Sequence, residues 1–147
     1  MPQEEPVLDF LRLMWAVDHE LQSVSKRMLI DLGLTGPQRL AVRFIGLQPG
    51  LAAGELAALL HLDPGTVTGI LRRLEAARMI VRAREPSDNR RVCLTLTRRG
   101  QAINRRRTGT IEFAVRRALA SVPDSDVRAA RRVLRVIAGQ LGAEAGR

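Results

Sequence analysis

The segment from Gly54 to Thr97 constrains the fold more than any other part of this chain, and its first half is typical of two short helices. Apolar residues at helical spacing predict the first helix from Glu55 to Leu60. After it, Asp63 is suited to cap a second helix, and Pro64 suits the first helical position because its missing N–H is not needed there. The core-facing side of the second helix is predicted to consist of Val67, Ile70, Leu71 and Leu74.

The second half of the segment is typical of a β-hairpin. Residues Val92 to Leu96 alternate between apolar and other side chains, as in a half-buried strand, and Ile80 to Arg84 can form the partner strand. Turn-forming residues lie between them, in a loop expected over Glu85 to Arg91. Two helices, a tight turn and a hairpin make a winged helix-turn-helix. We therefore predict a recognition helix at about 64–77 and a wing at about 80–97.

Polar residues of the second helix and the hairpin are candidates for contacts with DNA. The N-terminal part of the second helix of such a motif enters the major groove, where threonine and arginine reach base edges and phosphates. Arginine at a hairpin tip suits the negative potential of a narrow minor groove. The alternative is a solvated helix face and a solvated turn, in which Asp88 pairs with Arg90 for little stability. The candidate residues are Pro64, Gly65, Thr66, Thr68, Gly69, Arg72, Arg73, Arg84, Asp88, Arg90 and Arg91.

Short motifs follow one another in order along residues 32–100: Leu34-Thr35-Gly36-Pro37-Gln38, Glu55-Leu56-Ala57, Asp63 to Gly69, Arg73-Leu74-Glu75, Asp88-Asn89-Arg90, Leu94 to Thr97, and Gly100. In this order they resemble the MarR family of bacterial transcriptional regulators. The resemblance implies a dimer that binds a specific DNA sequence and responds to a small molecule. Arg78 stands where the family often has glycine, and a left-handed conformation there costs on the order of 1 kcal/mol. Arg72 stands where many members carry an acidic residue, so base preference cannot be transferred.

Long segments with apolar stripes flank this region on both sides. They are predicted to form helices over 7–34 and 98–141, the first C-terminal helix running unbroken past Leu119. Together they carry more apolar surface than one small winged helix needs, so we predict a two-fold homodimer. The chain, 1–147, is then one mainly α domain with a small β-hairpin wing. Its winged helix-turn-helix, 36–97, is flanked by N- and C-terminal dimerisation helices.

The resemblance also implies that the N-terminal helix lines a small-molecule pocket. Met14, Trp15 and His19 are the candidate ligand-binding residues, and plain core or dimer packing is the alternative for them. On the next helix, Arg39 and Arg43 are expected on the outer side, in solvent. We therefore expect an effector site near the N-terminal helix, and contact with DNA phosphates is the alternative to solvation for these two arginines.

The charge balance favours a polyanionic partner. With 24 basic and 15 acidic residues, the chain carries a formal net charge of +9, which suggests nucleic acid or simply promotes solubility. No apolar run in the sequence approaches the ~20 residues that cross a bilayer, and the acidic N-terminus does not resemble a signal peptide. We therefore expect double-stranded DNA as a partner, no membrane partner, and a cytoplasmic location.

Catalysis has little support in the sequence. His19 and His61 are the only histidines, a third metal ligand at fixed spacing is absent, and there is no glycine-rich phosphate loop. We therefore predict no catalytic residue, no metal and no cofactor. Cys93 follows Arg90 and Arg91, which favour a reactive thiolate, so redox sensing is one hypothesis and a strand-filling role is the alternative.

The leading interpretation is a sequence-specific DNA-binding regulator, a dimeric repressor that a small ligand releases from DNA. One alternative is a ligand-independent DNA binder or activator of the same fold. Another is a winged helix that makes protein–protein contacts, which would not need threonines and arginines together on one face of its second helix.

Overall fold

The computed structural model describes residues 5–146, apart from the side chain of Asn89. Within that range the chain forms seven helices and three strands, and the predicted mainly α winged helix-turn-helix is confirmed. The described residues form two compact units, the first ending at Ile111 and the second beginning at Glu112. In chain order the elements are α1 (Pro6–Leu32), α2 (Gly36–Leu47), β1 (Leu51–Ala52), α3 (Ala53–Leu60), α4 (Pro64–Ala76), β2 (Ile80–Glu85), β3 (Asp88–Leu96), α5 (Arg98–Arg105), α6 (Ile111–Ala120) and α7 (Asp124–Ala145).

The first unit is built around an apolar core between α2, α3, α4 and the sheet. Ile45 from α2, Leu56 from α3 and Leu94 from β3 are fully buried at its centre. Burying such side chains contributes roughly 1.5–3 kcal/mol each. This core holds α4 by its apolar side and leaves its polar side exposed. The residues predicted to face the core from α4 are all buried, namely Val67, Ile70, Leu71 and Leu74.

The wing belongs to an antiparallel sheet that has three strands in the described part of the chain, with β3 between β1 and β2. Leu51 of β1 faces Leu94, and Ile80 of β2 faces Leu96. The sequence did not predict β1, because its two residues are too few to show an alternating pattern. Its pairing with β3 connects the N-terminal end of α3 to the base of the wing.

The tip of the wing is tighter than predicted. The regular ladder ends at Arg84 opposite Val92, as predicted, but the expected open loop over 85–91 is wrong in part, because β2 continues to Glu85 and β3 already begins at Asp88. These two residues face each other, which leaves Pro86 and Ser87 as the connection between the strands. Both residues favour turns, and the hairpin therefore extends further than alternation of apolar side chains indicates.

Arg78, between α4 and β2, adopts the left-handed conformation with φ of 57°. For a residue with a side chain this costs roughly 1–2 kcal/mol. Neighbouring bonds hold the turn: the Thr97 hydroxyl donates to the Arg78 carbonyl at 2.6 Å, and the Met79 N–H donates to the Leu74 carbonyl at 2.9 Å. The path from α4 into the wing is therefore kept without glycine.

The unbroken C-terminal helix predicted from the sequence is wrong, because α5 ends at Arg105 and α6 begins at Ile111. Between them, Gly109 has a φ of 77°, a conformation that glycine adopts most readily. The Thr110 hydroxyl donates to the Arg107 carbonyl at 2.6 Å and stabilises the turn. Local turn preferences at these residues outweigh the apolar periodicity that continues through them.

The expectation that Arg39 lies in solvent is also wrong. Its side chain is fully buried, and its guanidinium donates to the carbonyls of Ile103, at 2.6 Å, and of Arg106, at the C-terminal end of α5. Arg43, one turn further along α2, donates to Asn104 Oδ1 at 2.7 Å. The last carbonyls of a helix lack partners within it and carry partial negative charge. Arg39 therefore caps α5 from the side of α2.

The helices α6 and α7 of the second unit include no buried side chain among their described residues. Val133 and Leu134 of α7 are 43% and 53% exposed. In the first unit, α1 buries Met28 and Leu32 near its end, whereas Trp15 is 67% exposed. None of the helices between residues 5 and 146 is both long enough and apolar enough to cross a membrane. Within one chain these helices keep apolar faces uncovered.

Candidate nucleic-acid interface

The start of α4 is fixed by Asp63, as predicted. One oxygen of its carboxylate accepts the Thr66 N–H at 2.8 Å, and the other accepts the Thr66 hydroxyl at 2.6 Å. These two bonds, the one from the hydroxyl first, hold the pKa of Asp63 below its usual value of 3.8. A charged cap at this position also suits the positive end of the helix dipole. The N-terminal turn of α4 is thereby held rigidly at the surface.

The outer side of α4 carries the predicted contact residues. The exposed residues Thr66, Thr68, Gly69, Arg72 and Arg73 form one surface, which we name the reading surface. A β-carbon added at Gly69 would meet nothing within 4 Å, so the chain's own packing does not require glycine there. Pro64 and Gly65, also exposed, begin the helix at one end of this surface. The division between buried and exposed sides of α4 follows the sequence prediction.

The two threonine hydroxyls of the reading surface are both bonded back to the protein. The Thr66 hydroxyl donates to Asp63, and the Thr68 hydroxyl donates to the Pro64 carbonyl at 2.8 Å. A hydroxyl has one proton to donate and two lone pairs that accept. In this arrangement each threonine hydroxyl can only accept a further bond, which suits the amino groups on base edges, and each exposed threonine also carries a methyl group suited to the methyl of thymine.

A cavity of about 270 Å³ lies between the start of α2 and the reading surface. It brings Thr66, Gly69 and Arg73 of α4 together with Thr35 and Gln38. The predicted capping box is present there, because the Thr35 N–H donates to Gln38 Oε1 at 3.1 Å and the Gln38 N–H donates to Thr35 Oγ1. The sequence prediction of the site omitted Thr35, the N-cap of α2, and Gln38, since capping explained both.

At the wing, Asp88 bonds to Arg90 through a different group from the one predicted. Asp88 was expected to pair with the Arg90 guanidinium, but its carboxylate accepts the Arg90 N–H at 3.0 Å. This bond shapes the backbone of the tip. Among the described residues, the Arg90 guanidinium has no hydrogen-bond or ion-pair partner, so it is available to a ligand. Arg84 is exposed on β2, away from the tight turn itself.

Arg91 is engaged within the protein. Its Nη2 donates to Glu55 Oε1 at 2.8 Å, and its Nε lies 3.3 Å from Glu85 Oε2. Contacts with Cys93 and then with Glu55 raise the pKa of Arg91. The Ala52 N–H, followed by Arg91, lowers the pKa of Glu55. Arg91 therefore differs from Arg90, although the sequence prediction treated the two alike.

Other predicted residues lie apart from the reading surface. On α1, Met14 is half-buried, while Trp15 and His19 are exposed one turn apart, and their proposed ligand role stays a prediction. Cys93 is half-buried on β3, with its sulfur 4.0 Å from a carboxylate oxygen of Glu85. Redox sensing by Cys93 likewise stays a hypothesis.

Comparison with known proteins identifies the family. Residues 32–91 match the model of the MarR family. The chain is 32% identical to the HTH-type transcriptional repressor Rv2887 of Mycobacterium tuberculosis over 122 residues. This alignment covers 83% of the chain and 88% of Rv2887. The chain belongs to the MarR family. The resemblance found in the sequence motifs is therefore confirmed, and this MarR-family chain is a DNA-binding transcriptional regulator from a non-enzymatic family.

Solved structures show the same fold. The S. aureus MepR–DNA complex aligns with a TM-score of 0.74 at 21% identity, covering 90% of this chain and 97% of MepR. CouR from Rhodococcus jostii RHA1, bound to p-coumaroyl-CoA, aligns with a TM-score of 0.76 at 24% identity, covering 92% of this chain and 96% of CouR. At these identities the likeness shows the fold alone.

Proposed function

We propose that this MarR-family regulator is a homodimeric repressor that reads a two-fold-related operator through α4 and the wing, and leaves it when a small molecule binds. The observation that carries the proposal is the reading surface, which presents polar side chains outwards while the opposite side of α4 is buried in the core. A helix held in this way offers its N-terminal half to a groove without unfolding any core contact.

The reading surface suits the major groove of DNA. Thr66 and Thr68 present acceptors, and the amino groups of adenine and cytosine are the donors that the major groove displays. Arg72 and Arg73 are exposed one turn or more along the helix, within the range from which arginine reaches guanine or a phosphate. The lack of a side chain at Gly69 permits a close approach between the α4 backbone and the DNA.

The wing supplies a second contact of different character. Arg90 is exposed at the tip and has a guanidinium without a partner in the described part of the chain. A narrow minor groove attracts an inserted arginine through its negative potential. The net charge of +9 adds a general attraction to phosphates, which steers association but does not select a sequence.

The homodimer is supported by the uncovered apolar faces of α1 and α7. Leu134, Ile137 and Leu141 recur at helical spacing along α7, so they form one stripe. A helix gains most of its stability in a protein from packing such a face. A second copy of the chain, related by a two-fold axis, can cover it and place two reading surfaces about one DNA turn apart.

The repressor role and the effector are carried over from relatives. Rv2887 is named a repressor, and CouR was crystallised with p-coumaroyl-CoA. An effector that binds one arrangement of the dimer more tightly than another shifts the population towards it. Met14, Trp15 and His19 are the residues we assign to effector contacts. Since the target is bacterial DNA, we place the protein in the cytoplasm.

The test is fluorescence anisotropy with labelled DNA from upstream of the coding region, at about 0.15 M salt with excess competitor DNA. The wild type is expected to bind with a dissociation constant of roughly 10⁻⁸–10⁻¹¹ M. Arg90→Ala is expected to weaken specific binding by about 1–3 kcal/mol, because it removes the wing contact, and to lower the salt slope by about 1.

Arg132→Ala is the matched control for Arg90→Ala. It removes the same charge from an exposed position of α7 that helical spacing places away from the stripe containing Leu134, so its dissociation constant should stay within about two- to threefold of the wild type. Wild-type binding that is equally tight on competitor DNA, or equal losses in both variants, would contradict sequence-specific reading by the wing and α4.

A further inference from the structure

Arg91 lies where the pairing of the wing is irregular. The register passes from Arg84 opposite Val92 directly to Glu85 opposite Asp88, a bulge or similar irregularity that leaves residues 89–91 of β3 without a paired residue in the described part of the chain. A bulge bends and twists the strand that carries it, so the ladder by itself does not fix the direction of the tip beyond it. Arg91 is within this irregular part of β3, next to the tip residue Arg90.

The Arg91 side chain connects the irregular part of the wing to two other elements. Its Nη2 bonds to Glu55 of α3 at 2.8 Å, while its Nε lies 3.3 Å from Glu85 at the end of β2. Glu55 is itself anchored, since its second oxygen accepts the Ala52 N–H at 3.1 Å at the start of α3. One guanidinium thus joins both strands of the wing to the helix-turn-helix.

The three side chains are partly exposed, at 42% for Arg91, 41% for Glu55 and 38% for Glu85. An ion pair at this exposure contributes little to overall stability. It can nevertheless favour one direction of the hairpin tip, because the irregular pairing at Arg84 and Glu85 leaves that direction without a regular ladder to fix it. The effect of the pair should therefore appear in recognition of DNA rather than in stability.

We propose that Arg91 is a positioning residue that fixes the wing against α3 through Glu55 and so aims Arg90 at the minor groove. This assignment rests on the DNA-binding function proposed above. It replaces a direct contact of Arg91 with DNA, since two of its guanidinium nitrogens, Nη2 and Nε, already face carboxylates of the protein. Glu55, which the sequence prediction did not include in the interface, is then part of the recognition machinery.

Glu55→Gln separates the two roles because they predict changes of opposite sign. If Arg91 contacts phosphate, neutralising its competitor Glu55 frees it, and specific binding becomes tighter. If Arg91 positions the wing, Glu55→Gln weakens specific binding by about two- to fivefold, the scale of an exposed ion pair. Glutamine still accepts the Ala52 N–H, so the cap of α3 is retained.

The full experiment is a double-mutant cycle on specific and competitor DNA with Glu55→Gln, Arg91→Gln and the pair of changes together. Positioning predicts that the double variant binds the operator no more weakly than Arg91→Gln alone, since that change already removes the bridge to Glu55. Arg91→Lys keeps the charge and should recover part of the affinity. Competitor DNA, which needs no aimed wing, should bind Glu55→Gln at least as tightly as the wild type.

Three results would overturn the proposal: tighter operator binding by Glu55→Gln, additive losses in the double variant, or a lowered melting temperature that accounts for the loss. Arg90→Ala is measured beside these variants to keep the two proposals distinct. If the wild type itself does not prefer the operator, or Arg90→Ala binds normally, the proposed DNA-reading function fails. If those controls behave as expected and Glu55→Gln binds more tightly, the positioning role alone fails.

Discussion

The helix-turn-helix region and the C-terminal helices treat their apolar residues differently. From α2 to β3, the chain buries Ile45, Leu56, Leu74 and Leu94 in a core of its own. In α6 and α7 the described residues include no buried side chain, although Leu134 and its neighbours form an apolar stripe. The first region is specified by contacts within one chain, whereas the second contains the apolar surface that a second chain covers in the proposed dimer.

The difference separates two kinds of stability. A core within one chain stabilises the fold equally at every protein concentration. A face that is covered only by association stabilises it through mass action, so its effect falls on dilution. Substitutions in the two regions should therefore respond differently to concentration.

The largest expected effect comes from Leu134→Asp, which places a charge on the apolar stripe of α7. Burying an unpaired carboxylate in an interface is costly, so association should be lost. Sedimentation should change from a species of twice 16.2 kDa to one of 16.2 kDa, and specific DNA binding at nanomolar concentration should disappear. A variant that still sediments as a dimer would show that α7 does not form the interface.

Leu74→Ala is the matched change in the core of the first region. It removes a fully buried side chain and should lower the free energy of unfolding by about 2–5 kcal/mol. The loss should be the same at every protein concentration, and the variant should sediment like the wild type. A loss that grows on dilution would mean that the core of this region also depends on a partner.

A pair of glycine substitutions sharpens the comparison with smaller effects. A β-carbon at Gly100 would lie 2.0 Å from the Met79 carbonyl oxygen, so Gly100→Ala must displace backbone and should cost about 1–3 kcal/mol. At Gly139, within α7, the added atom meets nothing within 4 Å in the chain. Gly139→Ala should stabilise the helix by up to about 1 kcal/mol. Thermal unfolding should therefore give a lower melting temperature for Gly100→Ala than for the wild type, and a higher one for Gly139→Ala.

The smallest expected effect is the pH dependence of the α4 cap. Because its bonds to Thr66 lower the pKa of Asp63 in the folded state, the cap stabilises the fold above pH 3.8. That stabilisation is lost as the pH falls through the lower, folded-state pKa. Asp63→Asn still caps but does not titrate. The melting temperature of the wild type should therefore fall relative to that of Asp63→Asn below about pH 4, and a constant difference would contradict this role.

The sequence predicted those parts of the interface that depend on short-range patterns. The two sides of α4, the Asp63 cap and the Thr35 capping box follow from residues within one or two turns of each other. The place of Arg78 in the motif marked it as a position where a left-handed conformation would be costly, and Arg78 adopts that conformation.

Contacts between residues far apart in the chain were not predictable in this way. Arg91 looked like Arg90 because Glu55 is 36 residues away and no local pattern relates them. The burial of Arg39 depends on where α5 ends, which the apolar periodicity through Gly109 concealed. The two-residue strand β1 is defined by its pairing with β3, and two residues are too few to show an alternating pattern in the sequence.

The bonds from Arg39 to the end of α5 have a consequence for how the chain is connected. Arg39 and Ile103 are 64 residues apart, and the segment between them includes α3, α4 and the wing. Joining its two ends makes this segment a closed loop, which opposes the separation of its ends as a crosslink does, through hydrogen bonds instead of a covalent bond. A change that shifts the end of α5 must therefore either move both ends of the segment between Arg39 and Ile103 together or break the hydrogen bonds that join them.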